Sequence, residues 1–144
     1  ASTAVIKIFP VPKDQGYLSK LFTEMAEKNI VVDIITQSQN QEGQRLAFSI
    51  PEEDVNTAED IVKKALSSDV KITVIREMAK ISTVGVGMKN HPGVAARFFK
   101  VLNQLEVPIH LVTTSEIKIS AVIDRKNLER AANGLHSEFE LDGE

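Results

Sequence analysis

The chain has 144 residues, 42% of them hydrophobic and 26% charged, a globular composition large enough for one ordinary domain or two small ones sharing a core. A net charge of −3 gives no reason to expect nucleic acid or an anionic membrane as partner, and no apolar run approaches the ~20 residues of a membrane span. With zero cysteines there is no disulfide, thiolate metal site or cysteine nucleophile, and a cytoplasmic location is the expectation.

Ala4-Val-Ile-Lys-Ile-Phe, bounded by Pro10 and Pro12, predicts a first strand. Asp14-Gln-Gly opens a helix whose apolar stripe is Leu18, Leu21, Phe22, Met25 and Ala26. Ile30 to Thr36 reads as a second strand, Gln37 to Gly43 as a polar turn, and Arg45 to Ile50 as a returning strand stopped by Pro51. Glu52, Glu53 and Asp54 then oppose the dipole at the start of a helix carrying Ala58, Ile61, Val62, Ala65 and Leu66. Val70 to Arg76 closes the set as a strand. The order β-α-β-β-α-β predicts a ferredoxin-like unit, an antiparallel sheet with two helices on one face.

From Lys80 the order begins again: a strand at 80–87, a helix at about 93–105, strands at 109–115 and 117–123, and a helix carrying Leu128, Ala131, Ala132, Leu135 and Phe139. Gly93 aligns with Gly16, Phe99 with Phe22, Leu111 with Ile34 and Ser115 with Ser38, each pair 77 residues apart. After a shorter second hairpin the offset becomes 73, as in Leu128 against Val55. The fold class is therefore α+β, with two tandem ferredoxin-like βαββαβ units at 1–78 and 79–144. The second lacks its last strand, because Glu140-Leu-Asp-Gly-Glu is too short and too polar to form one. That strand is expected upstream of Ala1, itself a processed end or a cut in a longer protein, or from a partner chain.

Both strand-to-helix turns are candidate anion cradles, since the first N–H groups of a helix point outward unpaired. They are Pro10 to Phe22 and Met88 to Phe99. The polar strand ends, Gln37-Ser38 and Thr114-Ser115-Glu116, could complete a site for a small molecule. The plainer reading is a pair of capped helices beside ordinary polar strand ends. The three histidines, His91, His110 and His136, show no metal-ligand spacing, so no metal is expected. Asp14, Asp33, Glu116 and Asp124 form no recognised acid–base signature, and no nucleophile motif or phosphate loop is present, so no catalytic residue is assigned. The glycines of Gly85-Val-Gly-Met-Lys-Asn-His-Pro-Gly fall at the wrong spacing for a dinucleotide loop.

Val84-Gly-Val-Gly-Met-Lys-Asn-His-Pro-Gly-Val-Ala-Ala-Arg-Phe, Thr113-Thr-Ser-Glu-Ile-Lys-Ile-Ser and the closing helix Leu128 to Leu141 resemble the second ACT domain of bacterial aspartokinases. Residues 4–76 resemble the first ACT domain more loosely. The resemblance implies a regulatory region that dimerises through its ACT domains, acts on an aspartokinase catalytic domain or subunit, and binds lysine and/or threonine at ACT–ACT interfaces. It assigns the effector to Lys13, Asp14, Gln15, Gly16, Tyr17, Leu18, Gln37, Ser38 and Asn40. From the partner's second domain it draws the positions of Pro108, Ile109, Thr114, Ser115 and Glu116, and it makes Met88, His91, Pro92, Gly93 and Val94 of the second turn further candidates. ATP and Mg²⁺ would belong to a kinase domain absent from this chain. One departure from the family pattern matters. Lys13 stands where an aspartate often meets the effector's ammonium group, and a lysine there would repel that group unless Asp14 takes over by a shift of one residue. Two other readings are a dimerisation scaffold without an effector and a small ferredoxin-like enzyme.

Overall fold

The computed structural model describes residues 2–84 and 93–140. The chain divides into two compact units, Ala1–Glu77 and Met78–Glu144. In chain order the elements are β1 (Thr3–Val11), α1 (Gly16–Glu27), β2 (Ile35–Asn40), β3 (Gly43–Pro51), α2 (Val55–Ala65), β4 (Lys71–Val84), α3 (Val94–Gln104), β5 (Ile109–Thr114), β6 (Lys118–Asp124) and α4 (Leu128–Glu140). Short 3₁₀ turns at Glu52–Asp54 and Arg125–Asn127 lead into α2 and α4.

In the first unit the strand order is β2-β3-β1-β4, with β1 and β2 both antiparallel to β3. One face of that sheet carries Ala4, Ile6, Ile8, Leu46, Phe48 and Ile50, which pack with Leu21, Met25, Ala58, Ile61 and Val62 of the two helices. Phe22 meets Phe48 edge to face, with ring centres 5.5 Å apart. The helix stripe differs by one residue from the expected one. Tyr17, Leu21 and Met25 are the buried positions of α1, and Ala26 faces outward.

In the second unit β4, β6 and β5 are neighbours, with β6 antiparallel to both. Its core joins Ile81, Ile119, Ala121 and Ile123 to Phe98, Val101, Leu102, Ala131 and Leu135. Three strands serve this unit among the described residues, and residues 141–144, which bear on a fourth, lie outside them.

The repeat is written in the backbone. Ile35 pairs with Phe48 as Val112 pairs with Ala121, and Gln37 pairs with Leu46 as Thr114 pairs with Ile119. The first helix of each unit closes identically: Ile30 N–H bonds the Met25 carbonyl at 3.0 Å, and Val107 N–H bonds the Leu102 carbonyl at 2.9 Å. These are wrapped C-caps around a left-handed residue. The first strands, however, are offset by 75, since Ile6 lies opposite Phe48 as Ile81 lies opposite Ala121. The second strand-to-helix turn is thus two residues longer than the first.

Two element boundaries correct the expectation. The second strand is Ile35–Asn40, so the run Gln37–Asn40 read as a turn is strand, and only Gln41 and Glu42 reverse the chain. The backbone ladder to Gln44, Arg45 and Leu46 sets this strand, while its exposed side chains leave no apolar alternation to detect. Residues 71–84 form one continuous strand where two were expected, with Glu77 at φ 58° within it.

Candidate functional site

In the first unit, Lys13, Asp14, Gln15 and Gly16 form an exposed turn between β1 and α1. The Gly16 N–H donates to Asp14 Oδ1 at 3.0 Å, and Leu18 N–H donates to the Gln15 carbonyl at 3.0 Å. Asp14 therefore places its own carboxylate at the N-terminal end of α1, where the helix dipole favours negative charge. Leu18 is half-buried against the core.

Gln37, Ser38 and Asn40 lie exposed along β2, opposite Leu46, Arg45 and Gly43. The Asn40 carboxamide oxygen accepts the N–H groups of Glu42 at 2.8 Å and Gly43 at 3.1 Å, so it organises its own hairpin. Gly43 adopts φ +146°, and a Cβ there would meet Pro10 Cβ at 3.2 Å; both features demand glycine.

The turn and the strand are joined at one point. Gln37 Nε2 donates to the phenolic oxygen of Tyr17 at 3.3 Å. Burial raises the Tyr17 pKa above 10.0, and the Gln37 hydrogen bond works against that rise. The phenol stays neutral through the physiological range.

In the second unit, Pro108 and Ile109 are exposed at the start of β5. Thr114 ends that strand opposite Ile119. Ser115 Oγ accepts from Ile117 N–H at 3.3 Å and Lys118 N–H at 3.1 Å, which commits the hydroxyl to the β5–β6 turn. Glu116 is exposed beside it. Gly93 is exposed, its carbonyl accepts the Arg97 N–H at 3.0 Å, and Val94 is half-buried. Met88, His91 and Pro92 lie outside the described residues.

Two contacts escaped sequence reasoning. The Tyr17–Gln37 bond links residues 20 apart, and only its lone tyrosine at a helix start hinted at a special role. His110 occupies a break in register between β5 and β6, and its Nε2 lies 3.2 Å from Asp124 Oδ1. Among the described residues no three histidines or carboxylates converge as a metal site. No described helix is long and apolar enough to cross a membrane.

Residues 81–139 match the ACT domain family. With repeated β-α-β-β-α units on an antiparallel sheet, the fold is that of an ACT-type regulatory module. The chain is 42% identical over 139 residues to aspartokinase 2 of Bacillus subtilis, covering 94% of this chain and 34% of that one. It superposes on a structure described as aspartokinase alpha and beta subunits with TM-score 0.84 and 33% identity, covering 97% of this chain and 96% of the other. A ligand-free regulatory subunit of aspartate kinase from Thermus thermophilus gives TM-score 0.86 at 28% identity, with 96% of each chain covered. The chain belongs to the aspartokinase family and corresponds to its regulatory region. It spans about a third of the length of the curated relatives it matches.

Proposed function

We propose that this chain is the effector-sensing part of an aspartokinase. It binds a feedback amino acid, lysine and/or threonine, at interfaces between ACT domains of two copies. Binding restrains a kinase domain or subunit that phosphorylates aspartate with ATP and Mg²⁺. The observation that carries this reading is the Tyr17–Gln37 bond, which joins the start of α1 to edge strand β2. The exposed Ser38 and the Asp14 carboxylate would supply groups suited to an ammonium ion. From the partner's second unit the site would draw the surface formed by Pro108, Ile109, Thr114, Ser115 and Glu116. An effector acts only by binding one arrangement of the pair more tightly than the other, a difference of about 1–3 kcal/mol in typical cases.

One observation favours a second reading, a dimerisation scaffold without an effector. The Gly16 N–H that a ligand carboxylate would seek is already taken by Asp14. Calorimetric titration of this chain with L-lysine and with L-threonine separates the two. Saturable heat with either supports the effector reading. Absence of heat and of any thermal shift with both leaves the scaffold. Turnover of aspartate and ATP by this chain alone would overturn both.

A further inference from the structure

The hydroxyl of Tyr17 is surplus to the fold. Tyr17 is 9% exposed and its ring belongs to the first unit's core. The equivalent position of the second unit, 77 residues on, is Val94, also in the first turn of its helix. That unit carries a half-buried aliphatic side chain there, so the position does not need an oxygen in both units.

The oxygen also has unused capacity. A phenol has one hydrogen to donate and two lone pairs to accept with. Gln37 Nε2 occupies the accepting side at 3.3 Å. Among the described residues no acceptor takes the phenolic hydrogen, and no donor reaches the carboxamide oxygen of Gln37. A donor and an acceptor are thereby left side by side where α1 meets β2. Donors beside acceptors complement the carboxylate and ammonium of a free amino acid.

We propose that Tyr17 is a ligand-binding residue of the effector site: its phenolic O–H donates to the effector carboxylate while Gln37 fixes its orientation. This rests on the effector reading given above, and it names the group that takes the carboxylate in place of the Gly16 N–H occupied by Asp14. The neutral state of the phenol keeps it a donor.

The chain has one tyrosine and no tryptophan, so intrinsic emission reports this phenol alone. Titration of the whole chain with L-lysine and L-threonine, followed by calorimetry and by tyrosine emission, tests the assignment. Tyr17→Phe keeps the ring and removes the hydroxyl. It is expected to weaken binding about ten- to a hundredfold, the range of a hydrogen bond to a charged group, with little change in thermal midpoint. Gln37→Met removes the orienting donor and is expected to weaken binding too. In the native chain, tyrosine emission must change on saturation. Binding by Tyr17→Phe equal to that of the native chain, or native emission that does not respond, overturns the assignment and leaves the effector reading standing. A native chain that binds neither amino acid overturns both.

Discussion

Asn29 and Glu106, 77 residues apart, both turn the backbone into the left-handed region, at φ 58° and 56°, at the same point of the two units. Each ends the first helix of its unit and lets the next N–H reach back five residues. The Cβ of either residue crowds the following carbonyl, but asparagine's short polar side chain offsets that cost by local hydrogen bonding better than glutamate's longer one does. The same geometry therefore costs more in the second unit.

Glu106→Gly should relieve that strain. After subtraction of the extra freedom glycine has in the unfolded chain, the expected gain is about 0.5–1 kcal/mol. Asn29→Gly should gain less. Thermal melts of the two variants check the order; a larger gain at Asn29 would contradict it.

Arg97 ties the start of α3 to the end of α4. Its Nε lies 2.9 Å from Glu138 Oε2, its guanidinium donates to the Glu138 carbonyl at 2.8 Å, and it stacks 4.8 Å from the Phe139 ring centre. The pair is part-exposed, so the ionic share is small and screened. Arg97→Lys keeps the charge and loses the fork and the stack, and should still cost about 1 kcal/mol. A double-mutant cycle with Glu138→Gln in urea isolates the carboxylate share, and coupling that vanishes in high salt would mark it as purely ionic.

Gly134 lets α4 approach α3. A Cβ there would lie 2.8 Å from Leu105 Cδ1 and 3.1 Å from Val101 Cγ1. Gly134→Ala should be close to neutral, because Leu105 is half-exposed and the helix gains about 1 kcal/mol of propensity. Gly134→Val has no such escape and should destabilise by about 1–3 kcal/mol in denaturant unfolding.

Tyr17 links stability to alkaline pH. Its folded pKa is raised above 10.0, so the folded chain holds the proton where the unfolded chain releases it. Stability is unaffected below the unfolded value and falls as pH rises through the folded one. Tyr17→Phe should remove this component of the fall. Gln37→Met, by deleting the hydrogen bond that lowers the value, should move the phenol's absorbance titration to still higher pH.

The order of elements, the duplication and most of the core were legible in the sequence, because apolar side chains at helical spacing report burial directly. Ile61, Val62, Leu102 and Leu135 are where their periodicity puts them. Edge strand β2 was not legible as drawn. Ile30 serves the closure of α1, and the polar Gln37, Ser38, Gln39 and Asn40 are held in the strand by backbone pairing alone. The site was half legible. Spacing and resemblance point to the turn at Lys13 to Leu18 and to Gln37, but the phenol–carboxamide bond between them depends on tertiary placement that no local pattern encodes.

The two hairpins and the strands that flank them set a temporal asymmetry. Asn40 pairs with Gly43 and Thr114 with Ile119, whereas Thr3 must find Pro51 and Met78 must find Asp124. Chain-closure entropy delays the second kind of pairing relative to the first. In stopped-flow refolding, substitutions in the hairpins should slow folding, and conservative truncations in β1 such as Ile8→Val should chiefly speed unfolding. Equal partition of the two classes would show that sheet closure is already complete at the barrier.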